Sequence, residues 1–343
     1  MSRPALEPRS LRYHDLAGAR PIPAGKVLAI GALALLLAAL LNADGLFELA
    51  NRQPVGWKRD AARGAVAPFC ALGRVTRLKD VRAEIREAAD KEGQSCDEVS
   101  VGADAFTAPP STTAPEGPAP PEGPAIARPT PSAEEPLRVW LGGDSMTIEL
   151  SQSVEEAATD RSELDLTTHP QVSSGLTRPD YFNWPAYFAE EVLPSDPDVV
   201  IVMFGANDSQ GMEIDGEPFQ PDSDEWQEEY RRRVGVIMDQ LRGEGRLVLW
   251  VGQPRMRDAG FDERMGVVDA IYAGEAESRP WVRFLDSRPI LSPGGDGAYQ
   301  ASAGDASLRQ GDGIHLDRAG ADLLAEAVLA AVEEELIGPA PPR

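Results

Sequence analysis

The sequence has few of the residues on which metal-binding, disulfide-rich and nucleic-acid-binding proteins depend. It contains three histidines and two cysteines in 343 residues, too few for a disulfide scaffold or for zinc-ligand spacing. Basic residues are also scarce, since 33 Lys and Arg stand against 56 Asp and Glu, giving a formal net charge of −23. Nucleic acid would therefore meet repulsion rather than counterion release. We expect no nucleic-acid partner, no metal and no organic cofactor.

Long apolar runs are equally rare, and the one that stands out lies near the N-terminus. Residues 27–41 form an uninterrupted apolar run of 15 residues, shorter than the roughly 20 residues of a full membrane span, although Lys26 beside it can snorkel. Basic residues predominate in 1–26, and acidic residues balance them after the run, which places 1–26 in the cytoplasm and the rest of the chain outside it. We predict an uncleaved single-pass anchor over 27–43. A signal peptide cleaved after this run and, less favoured, a buried helix of a soluble domain are the alternatives.

Two regions of different composition follow this run. Residues 46–102 mix turns with helical patterning, clearest at 75–93, and contain Cys70 and Cys96, which an oxidising compartment would allow to pair. Two unpaired buried thiols are the alternative. Residues 103–136 contain 10 of the 30 prolines, and a segment of this composition forms an extended spacer rather than a core. We predict a small helical extracytoplasmic region followed by a disordered tether.

From Leu137 onward, apolar strand-like runs alternate with amphipathic helical segments. Strands are predicted at 137–143, 164–169, 198–205, 247–252 and 281–286, and helices to about 159 and at 225–245, 261–277 and 317–336. This alternation predicts an α/β domain over 137–338, with three α/β/α layers around a mostly parallel five-stranded sheet. Because ligands bind beyond the carboxyl ends of such strands, the loops at those ends are where chemistry is expected.

The loop after the first predicted strand and the loop before the last helix carry candidates for nucleophilic catalysis. Ser145 follows two glycines at a strand-to-helix turn, which would project its hydroxyl above the sheet; an ordinary helix cap is the alternative. A serine needs a neighbouring base. His315 is the histidine placed to act as one, because His14 is predicted to be cytoplasmic and His169 precedes a proline at a strand end. Asp312, one turn before His315, can hold the other ring nitrogen.

Asn207 follows the third predicted strand, and its side-chain NH₂ group would face the same sheet edge. An asparagine there can act as a hydrogen-bond donor to a developing oxyanion. Its alternative is an ordinary turn asparagine, for which the sequence Asn207-Asp208 is well suited.

Taken in chain order, these blocks resemble those of the SGNH, or GDSL-type, hydrolase family. They are Gly143-Asp144-Ser145 after the first strand, Gly175 after the second, Gly205-Ala206-Asn207-Asp208 after the third, and Asp312 with His315 before the last helix. The resemblance implies a Ser145, His315, Asp312 triad. It also implies an oxyanion hole made by the backbone N–H groups of Ser145 and Gly175 and by the Asn207 side chain. Met146 stands where family members often have leucine, an apolar replacement that should be tolerated.

The same resemblance implies a serine esterase that uses no cofactor. We expect it to remove a small acyl group, acetyl above all, from a cell-envelope glycan or a similar surface ester. An O-acyltransferase using the same triad is the closest alternative, and a non-catalytic binding module on a stalk is the third. Arg178, Asp180 and Trp184 are predicted to line the sugar side of the cleft. The equally weighted alternative is that the aromatic residues of this stretch pack beneath the loop. Arg255 and Arg257, which follow the fourth predicted strand, have the same two alternatives, lining the cleft or packing.

Overall fold

The computed structural model describes residues 23–51, 53, 55–76, 103–106, 131–295 and 297–336. The chain divides into two compact units. The first comprises residues 1–47 with 64–96, and the second comprises residues 48–63 with 97–343.

Helices make up the described part of the first unit. They are α1 (Ala24–Leu41), the start of α2 (Ala43–Asn51) and most of α3 (Trp57–Thr76). Within the described residues, α1 is the helix whose length and composition suit a membrane span, with a mean hydropathy of 2.3 and none of its 18-residue window buried. It includes all of the predicted run 27–41 and begins three residues earlier, because Pro23 precedes it at the position where helices commonly start.

A small apolar cluster holds α2 and α3 together inside this unit. Ala43 and Cys70 are buried, and Phe47, Val66 and Phe69 pack against them. Cys70 is disulfide-bonded, and the other cysteine in the sequence is Cys96. Cys96 lies outside the described residues, as does most of the predicted helix at 75–93, so the pairing of the two cysteines stays a prediction.

The second unit contains the predicted parallel sheet. Its strands are β1 (Leu137–Gly143), β2 (Leu164–Pro170), β3 (Val199–Met203), β6 (Leu247–Val251) and β7 (Val282–Leu285). They are hydrogen-bonded in the order β2-β1-β3-β6-β7, and every neighbouring pair is parallel. The prediction of a five-stranded sheet is confirmed. The strand order reverses between β1 and β3, which creates the crevice where sheets of this kind bind ligands.

Helices cover both faces of the sheet and complete the three layers. They are α4 (Thr147–Ala158), α5 (Trp184–Tyr187), α6 (Asp224–Gln240), α7 (Ala259–Glu277), α8 (Ser287–Ile290) and α9 (Arg318–Leu336). Side chains alternate along β3, so that Val200 and Val202 face a core shared with α6 and α7. Ile201 faces a second core shared with α4 and α9. Because β3 is buried on both faces, its sequence is continuously apolar.

Two short antiparallel hairpins interrupt this pattern and were not predicted. β4 (Met212–Ile214) pairs with β5 (Glu217–Phe219), and β8 (Ser302–Ala303) pairs with β9 (Ala306–Ser307). Strands of two or three residues are too short for alternation to distinguish them from loops.

Parts of the two predicted regions that precede the sheet-containing domain group with the second unit. Residues 103–106, predicted to begin the tether, form a short 3₁₀ helix whose Phe106 is buried in the core of the second unit. Residues 48–63, predicted to belong to a separate small region, also group with this unit. Most of the predicted tether, residues 107–130, lies outside the described residues.

Candidate active site

The turn after β1 presents Ser145 at the carboxyl edge of the sheet. Gly143 adopts φ 151°, and a Cβ there would overlap the Met203 carbonyl of β3, so the tight exit from the strand requires glycine. Asp144 then binds the turn internally, because its Oδ1 accepts the backbone N–H of Met146 at 2.9 Å. The N-cap residue of α4 is Met146, which makes no side-chain capping bond, and the Ser145 hydroxyl has another partner.

That partner is His315, in the loop that precedes α9. The distance from Ser145 Oγ to His315 Nε2 is 2.8 Å, and His315 Nδ1 lies 2.6 Å from Asp312 Oδ2. The other oxygen, Asp312 Oδ1, accepts the backbone N–H groups of Ile314 at 2.8 Å and His315 at 3.1 Å. The structure thus brings the three residues of the predicted triad into one chain of hydrogen bonds.

The charge on Asp312 fixes which nitrogen of His315 carries the proton. Burial acts to raise the pKa of Asp312, but the hydrogen bonds from the His315 ring and from the Ile314 and His315 backbone outweigh it and lower the pKa to about 2. An ionised carboxylate only accepts hydrogen bonds, so His315 Nδ1 is the donor to Asp312. The lone pair of Nε2 therefore faces the Ser145 hydroxyl, as a general base requires.

Two arginines hold the loop that carries Asp312 and His315. Arg257, which follows β6, donates to the backbone carbonyls of Gly311 at 3.0 Å and Asp312 at 2.7 Å. Arg309 is buried and donates to the carbonyl of Ile314; burial lowers its pKa to about 10, so it remains charged at neutral pH. These contacts fix the backbone of the loop immediately before His315.

The predicted oxyanion donors lie in the loops after β1, β2 and β3. Asn207 Nδ2 is buried and has no hydrogen-bond partner among the described residues, which is unusual because buried donors are nearly always paired. In the same part of the chain, the backbone N–H groups of Ser145 and Gly175 donate to no backbone carbonyl. Within the part of the chain that the structure describes, neither of these two amides has a backbone acceptor, and the Asn207 side-chain donor has no partner.

Two buried aspartates tie these three loops together. Asp208 Oδ1 accepts the backbone N–H and the hydroxyl of Thr177 at 2.8 and 3.0 Å, and a Cβ on Gly175 would overlap the Asp208 carboxylate. Burial raises the pKa of Asp208. Burial likewise raises the pKa of Asp144 to about 7, against the backbone N–H groups of Met146, Asn207 and Gly205 that lower it.

Asp208, Tyr230 and Tyr272 form a buried hydrogen-bonded group that was not predicted from the sequence. The hydroxyl of Tyr230, on α6, donates to Asp208 Oδ2 at 2.8 Å and lies 2.6 Å from the hydroxyl of Tyr272, on α7. All three side chains are fully buried. The position of Asp208 directly after Asn207 was a usable signal. The tyrosines are far away in sequence, and on amphipathic helices they are indistinguishable from core residues.

The structure does not place the predicted sugar-binding residues on an open cleft. Trp184 is fully buried, and its Nε1 donates to Ser174 Oγ at 3.1 Å within an aromatic cluster, so its prediction as a cleft residue is wrong and the packing alternative holds. Arg178 is buried and binds both oxygens of Asp180, at 2.8 and 3.0 Å. Because these two charges face each other and the N-terminal segment, they are not directed toward a substrate.

A cavity of about 500 Å³ lies beside the triad acid instead, lined by Arg257, Asp258, Phe261, Asp312 and Ile314. Arg257, one of the residues left open by the sequence, thus borders a space next to the triad. Within the part of the chain that the structure describes, no group of three or more His, Cys, Asp or Glu side chains is arranged to hold a metal ion.

Comparison with known proteins identifies a family and several similar folds. The family described as "Protein of unknown function (DUF459)" matches residues 138–331, more than half of the chain and almost all of the sheet-containing domain. No curated protein sequence matches this chain.

Solved structures of similar fold include three hydrolases. A lipase/acylhydrolase from Enterococcus faecalis has a TM-score of 0.43 and 16% identity, covering 60% of this chain and 100% of its own. An acetylxylan esterase from Geobacillus stearothermophilus has a TM-score of 0.40 and 18% identity, covering 57% and 93%. An alpha/beta hydrolase from the metagenome of Lake Arreo, Spain, has a TM-score of 0.41 and 18% identity, covering 56% and 93%.

Proposed function

We propose, from the premise that this chain belongs to the DUF459 family, that it is an extracytoplasmic serine esterase that removes small acyl groups from a cell-envelope glycan or a similar surface ester. The observation that carries the proposal is the continuous set of hydrogen bonds from Ser145 Oγ to His315 Nε2, at 2.8 Å, and from His315 Nδ1 to Asp312, at 2.6 Å. A protein that only binds its ligand would not need a nucleophile, a base and an acid joined by hydrogen bonds in this order.

In the proposed reaction, Ser145 Oγ attacks the carbonyl carbon of the ester while its proton passes to His315 Nε2. Negative charge develops on the carbonyl oxygen, where the Asn207 side chain and the Ser145 and Gly175 N–H groups stabilise it. His315 then gives its proton to the departing alcohol oxygen as the C–O bond breaks, which leaves an acyl group on Ser145. Water enters, loses a proton to His315 and attacks the acyl carbon. The acid is released, and His315 returns the proton to Ser145 Oγ.

The surroundings of the triad support a hydrophilic alcohol rather than a long acyl chain as the larger part of the substrate. The cavity beside Asp312 is lined by charged side chains, Arg257 and Asp258, together with the ring of Phe261. Such a mixture of polar groups and one aromatic face suits a sugar, which has both hydroxyl groups and an apolar ring face.

The location is proposed from the N-terminal part of the chain. Helix α1 is long and apolar enough to cross a membrane, and the positive charge before it favours a cytoplasmic N-terminus. The domain that carries Ser145 would then be extracytoplasmic, where envelope glycans are accessible. The second candidate function, O-acyl transfer, uses the same acyl-enzyme, with a sugar hydroxyl replacing water; the open cavity beside the triad is the feature that favours it.

Turnover of defined esters by the purified full-length protein tests this proposal. We expect release of acetate from a chromogenic acetate ester and from at least one acetylated glycan. Transfer to an added oligosaccharide is assayed in the same reaction, to separate hydrolysis from acyl transfer. Ser145→Ala is expected to abolish both activities, whereas Ser195→Ala, a serine at the amino edge of the sheet that caps a short turn, should change neither. Full activity in a folded Ser145→Ala protein would refute the serine mechanism.

A further inference from the structure

The segment that precedes the predicted tether is bound to the catalytic domain by buried arginines. Arg178 Nη2 donates to the backbone carbonyl of Asn51 at 2.6 Å, and its Nη1 donates to that of Gln53 at 3.2 Å. Asn51 is the last residue of α2, so a guanidinium occupies the carbonyl end of that helix. Cations are favourable there because they satisfy unpaired carbonyls and oppose the helix dipole.

A second arginine completes the contact from the other direction. Arg59 is buried, and its guanidinium lies 3.5 Å from Asp180 Oδ2 and 3.3 Å from Glu213 Oε2. Asp180 thus stands between Arg59 and Arg178, which binds both of its oxygens. Breaking a buried pair from one side leaves an uncompensated charge. Asp180 and the two arginines therefore depend on one another, whereas the side chain of Glu213 is half-exposed.

The contact reaches the loop that carries the Gly175 amide. Arg178 is three residues after Gly175, and its own carbonyl accepts the backbone N–H groups of Tyr181 and Phe182 at 2.9 and 3.2 Å. Between them, Thr177 is bound to Asp208, beside Asn207. The loop is therefore held on its inner side by Asp208 and on its outer side by residues 48–63, through Arg178.

We propose that residues 48–63 are a clamp on the catalytic domain, and that Arg178 is a positioning residue through which the clamp fixes the Gly175 amide in the oxyanion hole. The positioning role rests on the proposed esterase function, but the clamp itself does not.

The clamp gives the proline-rich segment a role different from that of the predicted tether. The chain is bound to the catalytic domain before this segment, through residues 48–63. It is bound again at residues 103–106, where Phe106 is buried and its ring lies 5.0 Å from the guanidinium carbon of Arg233. Residues 107–130 would then connect two points already attached to one domain.

Cutting the chain just before residues 103–106 tests the clamp without reference to activity, because Phe106, which is buried in the catalytic domain, then stays on the catalytic piece. A specific protease site is placed within residues 97–102 of the full-length protein, which is purified in detergent, cut and passed over a sizing column. Both cysteines precede the cut, so no disulfide joins the two pieces. We expect the pieces to elute together. Separation of the wild-type pieces after complete cleavage would overturn the clamp.

Variants of the arginines show whether the named contacts are responsible. Arg59→Gln with Arg178→Gln is expected to let the cut pieces separate. Arg246→Gln is the matched control, because Arg246 is also a buried arginine that donates to carbonyls, those of Pro197 and Leu241, next to the start of β6. Circular dichroism establishes that each protein is folded. If the Arg59 and Arg178 variant stays associated as tightly as the control, these contacts do not form the clamp.

Kinetics test the positioning role separately. Arg178→Gln is expected to lower kcat by up to about 100-fold, the loss that a displacement of about 1 Å can produce, with KM nearly unchanged. Arg178→Lys, which keeps the charge, should recover part of the loss, and Arg246→Gln should lose none. If Arg178→Gln releases the segment while kcat is unchanged, the positioning role is refuted and the clamp stands. If no ester is turned over by the wild type, the proposed function fails, and the cleavage result still decides the clamp.

Discussion

At the scale of single residues, the site combines an ionised aspartate, Asp312, with a buried aspartate of a different kind, Asp144. Asp312 is half-exposed and has a lowered pKa of about 2 because its partners stabilise the carboxylate. Asp144 is fully buried and has a pKa raised to about 7. The first is suited to support a positive imidazolium on His315 during the reaction. The second acts structurally, by binding backbone N–H groups of the loops on either side of Ser145.

The proposed role of Asn207 in stabilising the transition state can be distinguished by kinetics from a role in binding the substrate. Asn207→Ala is expected to lower kcat by about 10²–10³, the usual loss for one oxyanion donor, while KM changes little because the bond strengthens only in the transition state. The buried and unpartnered state of its Nδ2 further predicts that the variant loses little stability. Steady-state kinetics together with the melting temperature checks both parts. An increase in KM with kcat unchanged would instead assign Asn207 to substrate binding.

Asp144 predicts a pH dependence of stability. Its pKa is about 7 in the folded protein, against an ordinary value of 3.8, so the folded state binds more protons than the unfolded state between those values. The free energy of unfolding contributed by this group is therefore fully present below about pH 4 and is lost as pH rises to about 7. Asp144→Asn should flatten this fall, so that the melting temperature of the variant rises relative to wild type from pH 4.5 to 8.

Asp269, whose pKa burial also raises to about 7, is present in both proteins and does not affect this difference. A constant difference between the two melting curves across the pH range would contradict the pKa assigned to Asp144.

At the scale of elements, two helices hold the loops that carry Gly175 and Asn207, the proposed oxyanion donors, through hydrogen bonds that lead to Asp208. Tyr230 of α6 donates to Asp208 at 2.8 Å, and Tyr272 of α7 contacts the Tyr230 hydroxyl at 2.6 Å. Tyr230→Phe leaves a buried carboxylate oxygen without its donor and is expected to lower stability by about 1–3 kcal/mol and to reduce kcat. Tyr272→Phe is the matched control, since it removes a hydroxyl but leaves the bond to Asp208. Chemical denaturation should find the first variant less stable than the second; the reverse order would contradict this account of the support.

The sequence predicted the large elements of the fold well because each has a strong hydrophobic pattern. Strand β1 begins and ends where predicted, and β3 and β6 were recognisable because strands buried on both faces are continuously apolar. The π-helical turn at Phe188–Val192 and the two hairpins were not predicted. Their short backbone segments are determined by contacts with the rest of the domain rather than by a repeating pattern of their own.

Site residues could be predicted from the sequence only where a reactive side chain stands at a recognisable position, such as the end of a strand or the start of a helix. Ser145 and His315 combine a reactive side chain with a place at a strand end or before a helix, and the structure brings them to 2.8 Å. Arg178 and Asp180 have equally reactive side chains, but their partners, Asn51 and Arg59, lie more than 100 residues away in sequence. Nothing local distinguishes an arginine that binds a distant helix end from one that binds a sugar.

At the scale of the whole molecule, the N-terminal helix determines where the esterase would act. We predict that α1 stays attached in the mature protein as a membrane anchor, because it is long and apolar enough to cross a membrane. Mass spectrometry of protein extracted from membranes should therefore find peptides from before residue 24. A protein whose N-terminus begins at Leu46 would show that the helix is removed as a signal peptide, and this would leave the clamp of residues 48–63 attached to a soluble enzyme.

The central claim is that Ser145 is a nucleophile activated by His315, and covalent labelling tests it most directly. A fluorophosphonate probe forms a stable bond only with an activated serine, and the labelled peptide identifies which serine reacted. The account predicts one probe molecule per chain, located on Ser145, with labelling lost in Ser145→Ala and slowed by several powers of ten in His315→Ala. Folded wild-type protein that takes up no probe at Ser145, or takes it up equally well without His315, would contradict the claim.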